Sequence, residues 1–227
     1  MFPWAQIDTV LLDMDGTLLD LHFDNHFWLT LVPETLSRLR NISTSAAMNM
    51  VRDAYEQVEG TLNWYCLDYW AQELQLDIMG MHRSISDKIK LRDDTIPFLD
   101  ALAEQGKKRI LLTNAHPLGL ALKLEHTPLA SHLDAILSSH QLGVPKESAH
   151  FWEQVFELYQ LQPQHCLFVD DNEHILQAAK QAGVGYLLGV NNPDSQRPHK
   201  QFEQFAATAD YLTLLPELTS SKADAGR

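Results

Sequence analysis

The chain has 227 residues, 45% of them apolar, with 30 acidic against 17 basic side chains and a formal net charge of −13. That length allows one well-filled core and a smaller appendage. The acidic balance argues against a nucleic-acid polymer or an anionic membrane as partner, so any positive field that receives an anionic ligand must be local.

The first residues, MFPWAQIDTV, lack the basic leader and apolar run of a signal peptide, and no window is apolar for long enough to span a bilayer. The two cysteines, Cys66 and Cys166, lie far apart in sequence in apolar neighbourhoods. They read as reduced thiols of a cytoplasmic protein rather than as a disulfide or a metal site.

The first element is TVLLDMDGTLLD, Thr9 to Asp20. Val10, Leu11 and Leu12 predict a buried strand, and Asp13, Asp15, Gly16 and Thr17 predict the loop that ends it. Two carboxylates there resist burial unless a positive group accompanies them, and a hard cation with oxygen ligands is the simplest partner. The plainer reading is a solvated loop after a core strand.

From about Leu21 to Asp94 the pattern is helical. Ser43 to Ser45 offer N-caps for a helix that stops at Gly60; a second apolar stripe runs from Leu62 to Leu74, and a third helix covers part of Met81 to Leu91. After Asp94 helices and strands alternate: a helix over Thr95–Gln105, a strand over Arg109–Leu112, a helix over Leu118–Leu124 and a strand over Leu133–Leu137. A helix over Glu147–Tyr159, a strand over Cys166–Val169, a helix over Glu173–Ala182 and a last strand over Tyr186–Leu188 follow. Gly189–Lys200, polar and broken by prolines, predicts a surface loop. The alternation predicts an α/β fold, a doubly wound parallel sheet with an all-helical insertion after its first strand, and a ligand crevice at the carboxyl ends of the strands. The expected division is a core of residues 1–20 and 94–218, an insertion of 21–93, and a disordered tail of 219–227.

Asp13-x-Asp15-Gly16-Thr17 resembles the signature of the haloacid dehalogenase (HAD) superfamily of aspartate-nucleophile hydrolases, and three further stretches match that family's motifs in order. The resemblance implies a Rossmannoid core with the insertion as a cap. It makes Asp13 the nucleophile and Asp15 the general acid and base, and matches Thr113 and Asn114 to the phosphate-binding motif and Lys146, in GVPKES, to the motif that neutralises the phosphoryl group. It implies Mg²⁺ held by Asp13, Asp15 through its main-chain carbonyl, and Asp171. Asp170 stands where the family more often has glycine, so it is either an alternate ligand or a support behind Asp171.

The acid at position 15 favours phosphoryl chemistry over dehalogenation. Lys88 and Lys90, the only lysines of the insertion, read as surface charges rather than Schiff-base formers. Trp64, Tyr65, Tyr69 and Trp70 offer stacking faces for a planar base, although residues at that spacing more often form helix packing. His22, His26, Trp28 and His116 are further candidates for polar contacts. The stretches DMDGTLLDLHFDNHFW, TLNWYCLDYW, RILLTNAHP, KLEHT and GVNNPDS resemble the bacterial purine 5′-nucleotidases of this superfamily, which act on GMP and IMP. The expected protein is therefore a cytoplasmic Mg²⁺-dependent nucleotidase, monomeric, with a purine nucleoside monophosphate as its partner. A phosphosugar phosphatase or mutase, or a non-catalytic binding protein on the same core, remains the alternative.

Overall fold

The computed structural model describes residues 2–224. Six parallel strands form one sheet: β1 (Thr9–Leu12), β2 (Lys108–Thr113), β3 (Ala135–Ser138), β4 (Cys166–Asp170), β5 (Tyr186–Val190) and the short β6 (Ala207–Thr208), in the order β3-β2-β1-β4-β5-β6. β1 is central because all four of its residues are buried, which suits a strand covered on both faces. Val10 and Leu12 point into one apolar cluster and Leu11 into another, as the two-residue period of a strand requires. After β3 the chain crosses to the far side of β1, so the strand order reverses at β1 and leaves a crevice at its carboxyl end.

Between β1 and β2 lies the helical insertion: α1 (His22–His26), a π turn (Phe27–Leu31), α2 (Val32–Arg40), α3 (Thr44–Glu56), α4 (Leu67–Leu74) and α5 (Ile78–Ser84). It has its own apolar cluster around Phe27, Val51, Trp70 and Ile78. The run from 22 to 40 lies in the stretch whose pattern is helical, but its separate helices were not marked out in the sequence. The π turn that precedes Pro33 widens the helix where the proline ring and its missing N–H would interrupt the ladder. Ser43 caps α3 as its sequence predicts, accepting from the Ala46 N–H at 3.1 Å. The predicted stripe from Leu62 is a 3₁₀ turn over Leu62–Tyr65 followed by α4, and the third helix begins earlier than expected, at Ile78.

The sheet is flanked by α6 (Thr95–Glu104), α7 (Pro117–Glu125), α8 (Ala149–Tyr159), α9 (Glu173–Gln181) and α10 (Leu215–Asp224). Residues of α6 and α10 pack in the cluster with Val10 and Leu12, and residues of α8 and α9 in the cluster with Leu11. α7 joins the two bodies, with Leu120 in the sheet cluster and Leu122 in the insertion's cluster. β5 extends two residues into the loop predicted from Gly189, and β6 was not foreseen. Of the expected tail, 219–224 fall within the bounds of α10, while 225–227 lie outside the described residues. Among the described residues, no helix is long and apolar enough to cross a membrane.

The chain leaves and re-enters the sheet body through paired strands of backbone. Asp20 N–H donates to Lys90 O at 2.9 Å, Arg92 N–H donates to Leu18 O at 3.1 Å, and Leu19 bridges Leu91. Arg92 anchors this neck: its guanidinium pairs with Asp94 and donates to Asn192 O at 2.8 Å and Ala209 O at 2.9 Å. Both side chains of the pair are more than nine-tenths buried, so removing one partner leaves an uncompensated charge. Arg92→Met should lower the unfolding free energy by about 3 kcal/mol, read from urea melts.

Candidate active site

Asp13 follows the last residue of β1, and its N–H donates to Val169 O at 3.0 Å, which locks it beside the end of β4. Gly16 turns the chain at φ 85°. A Cβ there would stand 2.9 Å from both Asp171 Cγ and Pro193 Cβ, so only glycine lets the loop lie against the β4 end and the 191–206 loop. Thr17 is fully buried, and its carbonyl accepts from the Tyr211 hydroxyl at 2.9 Å.

Lys146 is 1% exposed, and its ammonium donates to Asp13 Oδ1 at 2.6 Å and to Asp170 Oδ2 at 2.8 Å. Burial works against the ammonium, but the two carboxylates outweigh it and hold the lysine above its ordinary pKa. Asp170 uses its other oxygen to accept from Asn172 N–H at 2.8 Å. Burial, with Asp13 and Asp171 close by, raises the Asp170 carboxyl well above its usual range despite Lys146. Burial raises Asp171 as well, against the pull of Lys200, which donates to Asp171 Oδ2 at 2.7 Å.

Asp15 points to a different cation. Lys123, on the buried face of α7, donates to Asp15 Oδ1 at 2.7 Å and to Asp24, in α1, at 2.8 and 2.9 Å. One ammonium is thus divided between two carboxylates. Burial and the neighbouring Asp24 push the Asp15 carboxyl up to about 7, with Lys123 pulling the other way.

Thr113 and Asn114 lie at the end of β2, both buried. The Asn114 amide is committed: its oxygen accepts from Lys146 N–H at 3.0 Å, and its nitrogen donates to Glu147 at 3.0 Å. Thr113 Oγ1 accepts from Ala115 N–H at 3.0 Å. Glu147 also accepts from the Tyr65 hydroxyl of the insertion at 2.6 Å.

These groups share a cavity of about 820 Å³ between the sheet and the insertion, lined by Asp13, Asp15, Thr113, Lys146 and Asp171 at one end. Trp28, Tyr55, Trp64, Tyr65 and Trp70 face it from the insertion, along with His82. Trp70 also belongs to the insertion's core and is 1% exposed, whereas Tyr69 packs against it and does not reach the cavity. His82 lies against Phe23 and Phe27; burial pushes its imidazole down to about 3. His116 lines the cavity, whereas His22 and His26 do not, His22 standing 3.7 Å from Asp194 instead.

Carboxylate oxygens of Asp13, Asp170 and Asp171 lie within 4.8 Å of one another. Asp13 and Asp171 each keep one carboxylate oxygen outside their lysine contact, and such hard oxygen donors suit a small divalent cation. Asp171 is the one whose lysine partner, Lys200, is about half exposed. Lys123, Glu147 and Lys200 are participants that sequence reasoning missed. Lys123 carried a signal, since it falls on the apolar face of PLGLALKLE, where a lysine requires a buried partner.

The model of the haloacid dehalogenase-like hydrolases matches residues 7–183, more than three quarters of the chain. The chain belongs to this family. It is 53% identical over 215 residues to the GMP/IMP nucleotidase YrfG of Escherichia coli K12, covering 95% of this chain and 97% of that one. Its fold is similar to that of a HAD phosphatase from Thermococcus onnurineus, with a TM-score of 0.78, 22% identity, and 93% and 98% of the two chains covered. It is also similar to the HAD hydrolase YfnB from Bacillus subtilis, a magnesium-bound structure described as revealing interdomain movement, with a TM-score of 0.61, 19% identity, and 93% and 98% covered.

For this HAD hydrolase the buried lysine is the member whose loss is felt first. Lys146→Met should cost about 3–5 kcal/mol of stability in EDTA, because two buried carboxylates lose their cation. Adding Asp170→Asn should recover part of that loss, as chemical denaturation of both variants would register.

Proposed function

We propose that this chain is a Mg²⁺-dependent 5′-nucleotidase that hydrolyses purine nucleoside monophosphates, GMP and IMP foremost, through an aspartyl-phosphate on Asp13. The observation that carries the reading is one cavity with Asp13 and Asp15 at its floor and a wall of Trp28, Trp64 and Tyr65 opposite. Such a shape takes a phosphate at one end and a flat base at the other. The 53% identity to YrfG along nearly the whole chain supports the purine substrate.

The Asp13 carboxylate attacks phosphorus, a P–O bond to Asp13 forms, and the bond to the 5′ oxygen breaks. Asp15, neutral in this step, gives its proton to the departing 5′ oxygen; its raised pKa suits that role. Asp15, now ionised, takes a proton from the water that attacks the acyl phosphate, and inorganic phosphate leaves with Asp13 regenerated. Lys123 would steady Asp15 through both steps, and Lys146 would offset the phosphoryl charge while aiming Asp13. The Thr113 hydroxyl would donate to a phosphoryl oxygen, and Asn114 would position Lys146.

Asp13, the Asp15 main-chain carbonyl and Asp171 would hold Mg²⁺, whose charge screens the phosphoryl oxygens from the incoming carboxylate. In this reading Asp170 is the support for Lys146 rather than the ligand, since both of its oxygens are already engaged. Residues 21–93 act as a cap that excludes water, with 1–20 and 94–218 as the catalytic core. Two free thiols fit a reducing cytoplasm.

Phosphate release from a panel of nucleoside monophosphates and sugar phosphates, with Mg²⁺ and with EDTA, tests this. GMP and IMP should lead the panel, and EDTA should abolish release. Leadership by a sugar phosphate would move the substrate to the phosphosugar class, and no release from any ester would indicate a binding protein. Asp13→Asn should remove turnover while the circular dichroism spectrum is kept; retained activity would refute the nucleophile. Asp15→Asn should slow kcat by about 10²–10⁴-fold, and an unchanged rate would remove it as acid and base.

A further inference from the structure

Cys66 and Cys166 differ in what surrounds them. Cys166 is buried at the start of β4, where burial pushes its thiol up to about 12 and Sγ is 3.4 Å from Gln162 O. Cys66 is half-buried at the foot of α4, and the fold carries it to two histidines of the sheet body, His116 before α7 and His140 after β3. The sulfur and one ring nitrogen from each histidine lie within 4.8 Å of one another. The two imidazoles stand edge to face at 5.0 Å.

This cluster lacks the internal hydrogen bonds that would explain it. His140 Nε2 is buried and has no hydrogen-bond partner, a cost that protein interiors rarely leave unpaid. His116 Nδ1 accepts only a long contact of 3.4 Å from Leu118 N–H. The Asp68 carboxylate stands 3.6 Å from His116 Nε2, on the open side of the cluster.

We propose that Cys66, His116 and His140 form a second metal site, for a borderline-soft divalent cation such as Zn²⁺, which fastens the helical insertion to the sheet body. One sulfur and two imidazole nitrogens are the donors such a cation selects, and Mg²⁺ does not compete for them. A tetrahedral site with Zn–S near 2.3 Å and Zn–N near 2.0 Å places neighbouring donors about 3.3–3.5 Å apart. The three donors, all within 4.8 Å of one another, need close by no more than about 1.5 Å on binding, and Asp68 or a water fills the fourth position. Binding replaces the thiol proton with the metal and releases that proton to solvent. One donor comes from the insertion and two from the sheet body, so the bound cation resists the opening that admits a ligand to the cavity. The all-oxygen set of Asp13, the Asp15 main-chain carbonyl and Asp171 is a separate site of different chemistry.

Co²⁺ titration of the full chain, in excess Mg²⁺ and under reducing conditions, tests the site independently of turnover. One equivalent of Co²⁺ should give thiolate-to-cobalt absorption in the near ultraviolet and tetrahedral visible bands, both displaced by Zn²⁺. Cys66→Ser should remove the thiolate absorption and His140→Gln should weaken Co²⁺ binding at least tenfold, whereas Cys166→Ser should keep both. Absence of the thiolate band in the unsubstituted chain, or its survival in Cys66→Ser, would overturn the site. One equivalent of Zn²⁺ should slow phosphate release by the unsubstituted chain several-fold and spare Cys66→Ser; equal effects on both would overturn the clamp.

Discussion

A single buried ammonium holds the catalytic end of this sheet together. Lys146 reaches Asp13 from the β3 side and Asp170 from β4, so one cation joins three segments far apart in sequence. Carboxylates crowded at a strand end repel one another and lose hydration, and neither cost is met by local structure. The lysine offsets both, and Asn114 and Trp152 in turn hold its main chain, at 3.0 Å to its N–H and 2.8 Å to its carbonyl.

A second lysine repeats the device across the boundary between the two bodies. Lys123 ties Asp15 in the β1 loop to Asp24 in the insertion, while α7 packs its apolar residues into both clusters. Tyr65 to Glu147 and Asn25 to Asp194 add further hydrogen bonds from the insertion to the sheet body, at 2.6 and 2.7 Å. The insertion's position over the cavity is therefore coupled to the ionic state of the groups at its floor.

Much of the fold was legible because it depends on local pattern. Strands β1, β2 and β4 are short apolar runs ending in polar residues, and α3, α6 and α9 carry their own stop and start signals. The boundaries between α1, the π turn and α2 were not legible, because a π turn before a proline has no compositional mark. Nor was β6, two residues long, or the continuation of α10 to 224, whose polar residues read as a tail. In the candidate site, Asp13, Asp15, Thr113, Asn114, Lys146 and Asp171 were named from motif order. Lys123, Glu147 and Lys200 were not, since a charged residue on a helix or loop looks alike whether or not its partner is distant.

By itself the sequence determined the kind of chemistry: two carboxylates two residues apart at the end of a buried strand, and a glycine that turns the loop behind them. Those features follow from covalent spacing and strand periodicity, which act over a few residues. Only the tertiary structure decided which cation serves which carboxylate, that both Asp170 oxygens are engaged, and that Cys66 meets two histidines. Such pairings arise where the chain crosses itself at the sheet's reversal point, and electrostatic energy there depends on distance in space, which no local pattern encodes.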